Sequence, residues 1–186
     1  MKTGHDPISP EDLLSYWFSD AAKAKWFKPN SEFDGELKAR FEPSFKTARS
    51  GALASWAQDA RSMLALIILL DQIPRNIYRD KPEAFAADGQ ALASARQAVE
   101  RGLEARLSAE GRQFLYMPFM HSEALEDQDQ GVALFAGLGL EEPFRFMQRH
   151  RDIIARFGRF PHRNAALGRQ STEEEIAFLE RPGSRF

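Results

Sequence analysis

Eight consecutive apolar residues, Met63 to Leu70, run directly into Asp71, and no other feature of the sequence restricts its fold as strongly. As a helix this run is about 12 Å long, against the roughly 30 Å hydrocarbon core of a bilayer. It cannot span a membrane, and being apolar on every side it belongs at the centre of a packed protein. The chain has 186 residues, enough to surround such a helix, and a protein of this size buries roughly 70% of its unfolded surface. With 43% hydrophobic and 28% charged residues, the composition is that of one ordinary globular domain over residues 1–186.

The flanking sequence supplies further helices. Ser9, Pro10, Glu11 and Asp12 form a helix start, since Ser caps free N–H groups, Pro suits the first turn and acids favour the positive helix end. Phe33, Leu37, Phe41 and Phe45 keep a helical period across Pro43, where a kink is expected, until Gly51. The core helix is expected over residues 62–72 and an Ala-rich helix over 82–100. One long helix is expected over 113–138, broken at Pro118, and another over 143–157, stopped by Gly158. Ser171 and Glu174 fit a capping box for a last helix that Pro182 and Gly183 terminate. No segment alternates apolar and polar residues with β-branched enrichment, so the reading is all-α with about seven helices. Short connections favour antiparallel helical hairpins in a bundle or short solenoid. No repeat of roughly 34 residues is visible by eye.

Several function classes are excluded at this stage. Lys plus Arg number 25 and Asp plus Glu 27, a formal charge of -2, which does not fit an overall basic nucleic-acid binder. Zero Cys excludes disulfides, thiolate metal sites and cysteine nucleophiles, and fits a reducing compartment. The amino terminus lacks the pattern of a secretory signal, so a cytoplasmic location is expected. Without paired His at metal-ligand spacing, no tightly bound structural metal is expected, and no cofactor is indicated.

Three segments collect the polar side chains that could carry chemistry. The core helix ends with Asp71, Gln72, Arg75 and Asn76, and Asp71 and Arg75 are spaced to pair on one helical face despite Pro74. Either the pair neutralises itself, or Arg75 and Asn76 face a cavity and donate to an anion. A second segment follows Pro118 and holds His121, Ser122, Glu123, Asp127 and Gln128. Here Glu123 and Asp127, if helical, share a face and raise each other's pKa, in a stretch without Lys or Arg between Arg112 and Arg145. The third holds Arg159, His162, Arg163 and Asn164 after Gly158. His150 falls on the apolar stripe just before it, and Asp152 is placed to bridge Arg149 and Arg156. Every cation after Lys81 is Arg, the side chain that grips carboxylate or phosphate through a planar fork.

LALIILLDQIPRNIYR, the residues from Phe114 to Gln128 and HRDIIARFGRFPHRNAALGRQSTEEE together resemble a bacterial family catalogued as a domain of unknown function, the nine-two-four group. The resemblance covers nearly the whole chain. It implies a tetratricopeptide-like arrangement of helical hairpins and brings no established activity, ligand or cofactor.

Three readings follow for the function. The leading one is a binding module whose pocket takes a small anionic ligand or an acidic peptide end, with Arg75, Arg159 and Arg163 as anchors and no nucleic acid or membrane partner. The second is a hydrolase-like enzyme with Glu123 or Asp127 as base and His121 or His162 as acid. The third is an interaction scaffold in which the clusters are internal ion-pair networks. The first requires the three segments to converge, each beside a proline that interrupts its helix ladder: Pro74, Pro118 and Pro161.

Overall fold

The computed structural model describes residues 8–184, and the regular elements among them are all helices. Ser9 caps α1 (Pro10–Trp17) in a capping box with Asp12, and Ser19 caps the single turn α2 (Asp20–Lys23). Asn30 caps α3 (Ser31–Arg49), which runs through Pro43 and buries Phe33, Leu37, Phe41 and Phe45 on one face, as their spacing dictates.

The apolar run lies in α4 (Ala60–Ile77), started by Asp59, whose carboxylate accepts from the Arg61 and Ser62 N–H groups. Residues 63–70 are all buried, and α4 packs against α1, α3, α5 (Asp88–Glu100) and α6 (Ala109–His121). Truncating a residue so placed, such as Ile67, to Ala costs about 2–5 kcal/mol. The helix extends beyond the expected residue 72, through Pro74 to Ile77, so the polar end of the run remains helical.

Two other expectations are corrected. The Ala-rich stretch divides into a 3₁₀ turn, Pro82–Phe85, and α5, which buries Ala91, Ala95 and Ala98. The break expected at Pro118 falls after His121 instead: α6 passes through Pro118, and α7 (Leu125–Ala136) begins three residues beyond Ser122. The end of α6 is set by Gln128, whose Nε2 donates to the carbonyls of Met120 and Ser122 at 2.7 Å and of Phe119 at 3.3 Å. Tertiary capping therefore decides this boundary rather than proline.

Helix α7 lies between α6 and α8 (Glu141–Phe157). A Cβ at Gly131 would stand 2.9 Å from the Met147 sulfur and 3.2 Å from Phe119 Cβ, so any larger residue there must displace the Met147 side chain. Gly158, with φ of 68°, ends α8 in the left-handed conformation. Last comes α9 (Glu173–Leu179), whose capping box is Thr172 with Glu175, one residue later than expected.

Most buried apolar residues form one core around α4, with Trp17, Phe33, Phe41, Phe114, Phe119 and Phe135 in it. A smaller group, Ile153, Ile154 and Phe160, packs with Phe157 and Phe178 near the carboxyl end. Among the described residues no helix is long and apolar enough to cross a membrane. The carboxyl ends of α4 and α6 and the amino end of α5 meet the segment after α8, and the polar side chains collect there.

Candidate functional site

The site grows from Asp71, which is completely buried on the second-last turn of α4. Its Oδ1 lies 2.8 Å from Nδ1 of His121 and 3.1 Å from Arg75 Nη1, and its Oδ2 accepts from the Gln72 amide. Burial raises the Asp71 pKa, but Arg75 and His121 outweigh it and hold the carboxyl well below the ordinary range. Burial and the Arg75 charge push His121 the other way, below its usual value, against the pull of Asp71. His121 is thus a neutral imidazole at pH 7. The contact is a hydrogen bond in which Nδ1–H donates to Asp71, and this fixes the tautomer with a lone pair on Nε2.

Arg75 joins this pair to a second carboxylate. Its Nη2 donates to Asp88 Oδ2 at 2.9 Å, and Nη1 of Arg163 donates to the same oxygen at 3.2 Å. Arg163 sits in the 3₁₀ turn Pro161–Arg163, its guanidinium 4.8 Å from the Phe85 ring centre and 4.5 Å from that of Phe160. Through Nη2 it also donates to the His121 carbonyl at 3.0 Å, closing the last turn of α6. Burial and the neighbouring Arg75 lower the Arg163 pKa to about 10, so it still carries its charge at neutral pH. Two polar atoms of this group are buried without a hydrogen-bond partner: Arg163 Nε and Asp88 Oδ1.

Glu123 borders the cluster but faces away from Asp127. It accepts from the Phe160 N–H at 2.7 Å and from Arg169 at 2.7 and 3.0 Å. Asp127 instead pairs with Arg96 and accepts from Ser122 Oγ at 2.6 Å. The expected carboxylate pair on one face does not form, because Glu123 lies in the turn between α6 and α7 and only Asp127 is helical. Nor is the Glu123 pKa raised: although burial pushes it up, Arg169 and the Phe160 N–H bring it below the ordinary value.

The other expected site residues divide the same way. Asn76 donates to the Gln72 carbonyl at 3.0 Å within α4, and Gln128 caps α6. Arg159 turns away, forking onto Glu175 at 2.6 and 2.8 Å and donating to the Gln170 carbonyl. Asn164 joins that second network, donating to Glu175 and Ser171 and accepting from Arg169. Asp152 does not bridge Arg149 and Arg156, which reach the Gly183 carbonyl and Glu174 respectively. His150 is buried, donates Nδ1–H to the Phe146 carbonyl, and lies 6.3 Å from His121 between ring centres. Burial, with the Arg163 charge acting on both, lowers His150 and His162 to about 3.

The three segments therefore do meet: α4 through Asp71 and Arg75, the end of α6 through His121, and the segment after α8 through Arg163. The residues the sequence reading missed are Asp88 and Phe85, while Arg169 belongs to the Arg-rich third segment. Asp88 lay hidden as one acid in an Ala-rich helix start, where such residues are ordinary helix-dipole partners. Among the described residues, no group of three or more His, Asp or Glu side chains is arranged to hold a metal ion.

No curated protein matches the chain. A solved structure, that of a protein of unknown function from Agrobacterium tumefaciens, is 38% identical, superposes with a TM-score of 0.88, and is matched over 92% of this chain and 96% of its own. The family described as "bacterial protein of unknown function (DUF924)" matches residues 13–183, and the chain belongs to it.

Proposed function

We propose that the chain is a cytoplasmic, single-domain binding module of tetratricopeptide-like build, whose ligand is a small molecule with an anionic end held by Arg75 and Arg163. One observation carries this reading: two guanidiniums share a single oxygen of Asp88, while Arg163 Nε remains buried with no acceptor. A buried donor of this kind costs about 1–3 kcal/mol when left without a partner. An incoming oxyanion supplies the acceptor that the Arg163 guanidinium lacks. Phe85 and Phe160 pack on the two faces of the Arg163 guanidinium, and its near-complete burial favours a small ligand over a long peptide. The hydrolase reading that uses Glu123 or Asp127 as base is disfavoured, since each carboxylate is already held by an Arg.

Titration with inorganic phosphate, followed by calorimetry and thermal unfolding, tests the reading. A ligand at about 100 times its dissociation constant stabilises by about 2.7 kcal/mol. Phosphate should raise the melting temperature of the native chain and leave that of Arg163→Met unchanged. Equal responses of the two proteins would overturn the assignment.

A further inference from the structure

We propose that Asp71 and His121 form a proton-transfer pair, with His121 Nε2 as general base for hydrolysis of a phosphate monoester whose phosphoryl group occupies the Arg75 and Arg163 site. This rests on the anion-binding reading above and goes beyond it by naming a substrate class and an activity.

Three features carry the argument. First, the His121 tautomer is fixed from inside: Asp71 Oδ1 stands 2.8 Å from Nδ1, and Asp71 is itself oriented by Arg75 and Gln72. A carboxylate that holds one imidazole nitrogen leaves the other as a directed proton acceptor. Second, the His121 side chain keeps about a tenth of its surface accessible while Asp71 keeps none, so the base borders solvent and the residue that positions it does not. Third, the charges beside it suit phosphoryl transfer. The backbone of His121 accepts from Arg163 Nη2, so the imidazole and the guanidinium are joined at one helix end. Arg163 Nε, buried and without a partner, is a donor that negative charge building on the phosphoryl oxygens in the transition state would satisfy. A carboxylate needs one guanidinium fork, whereas a phosphoryl dianion can accept from two, and two guanidiniums are present here.

The step balances with water as the co-reactant. Nε2 takes a proton from water as the water oxygen bonds to phosphorus. The bond from phosphorus to the ester oxygen breaks, its electron pair stays on that oxygen, which takes a proton from solvent on the opposite face, and the imidazolium gives its own proton back to solvent. The products are an alcohol and inorganic phosphate. Asp71 stays ionised throughout and serves as a positioning residue.

The test uses the whole chain with 4-nitrophenyl phosphate as substrate and inorganic phosphate as binding probe. The native protein should hydrolyse the ester. His121→Asn, whose amide can still donate to Asp71, should lower kcat by about 10²–10⁴-fold, the usual contribution of a positioned base. It should leave KM and phosphate affinity within about twofold, since uniform binding is untouched. Asp71→Asn, which disturbs the tautomer, should lower kcat and spare KM. Should both variants fail to fold, the ¹⁵N resonances of His121 in the native protein decide: a proton on Nε2 rather than Nδ1 overturns the proposal. Absence of hydrolysis by the native protein while phosphate still binds at Arg163 overturns the base and leaves the anion site standing. Loss of phosphate binding as well removes both.

Discussion

Two arginine networks lie side by side at the carboxyl ends of α4 and α6, and they are built to opposite specifications. In the one around Glu123 and Glu175, each carboxylate receives its own forked guanidinium, Arg169 and Arg159. Further donors of these two side chains bond Asn164 and the carbonyls of Phe160 and Gln170. In the one around Asp88, two guanidiniums share one oxygen while Arg163 Nε and Asp88 Oδ1 lack partners. A closed network resembles a structural brace, and its net contribution is modest because desolvation offsets attraction. An incompletely satisfied one stores unfavourable free energy that a ligand can relieve. The arginine count is the same in both; the number of acceptors per arginine separates them.

The largest expected effect concerns Arg75, which serves both Asp71 and Asp88. Arg75→Met should cost about 3–5 kcal/mol in urea unfolding, because Asp71 is left buried with its principal cation gone. A cost under about 1 kcal/mol would erase the distinction between the buried pair and its open neighbour. Next comes the closed side: Glu123→Ala strands Arg169 and the Phe160 N–H, and a loss of about 2–3 kcal/mol is expected.

Acid should act on the histidines that rim the open network. His150 and His162 are lowered to about 3 in the folded chain, from 6.5. Between these values the unfolded chain binds more protons, so this part of the stability is complete above pH 6.5 and is lost on acidification. For the two groups together, going from pH 7 to 5.5 should cost about 2 kcal/mol by chemical unfolding. His121, shifted the same way, adds to the loss, whereas the lowered carboxylates contribute only below the normal range of Asp and Glu. A flat profile across that window would mean that the imidazoles are hydrated in solution.

The smallest effect should be that of Arg163→Met without ligand. Arg75 still covers Asp88, and the Met side chain fills much of the space between Phe85 and Phe160. A change of about 1 kcal/mol or less is expected, since the lost bonds are offset by removal of a desolvated charge. Comparison with the Arg75→Met midpoint sharpens the contrast, and equal losses would place Arg163 among the braces.

The helical elements were legible in the sequence wherever their determinants are local. Ser9 with Asp12 marks α1, the 3.6-residue spacing of Phe33, Leu37, Phe41 and Phe45 marks the buried face of α3, and Gly158 marks the end of α8. The failures share one cause, a determinant distant in sequence. Pro118 suggests a break, but the end of α6 is fixed by Gln128 from the next helix. Ser171 with Glu174 and Thr172 with Glu175 both fit the capping pattern. The choice falls to the second because Arg159 draws Glu175 inward, while Glu174 pairs with Arg156 at the surface. For the site, the Asp71–Arg75 pair follows from helical spacing, as does the place of His150 on the buried face. The partnership of Asp71 with His121 spans 50 residues and that of Asp88 with Arg163 spans 75, and no local pattern encodes either. The same distance hid the separation of Glu123 from Asp127, which the turn after His121 enforces.

The amide of Gln128 reaches the carbonyls of Phe119, Met120 and Ser122 from a neighbouring helix. One side chain therefore couples the unfastening of two helices. For the last turn of α6 to fray, Gln128 must let go, and for α7 to lift, those carbonyls must lose their donor. The two segments are expected to open as one cooperative unit, which native-state hydrogen exchange would detect as amides sharing a single protection free energy. Because His121 is the last residue of α6 and its carbonyl is held by Arg163, the timing of that unit also governs how long the histidine stays aligned with Asp71.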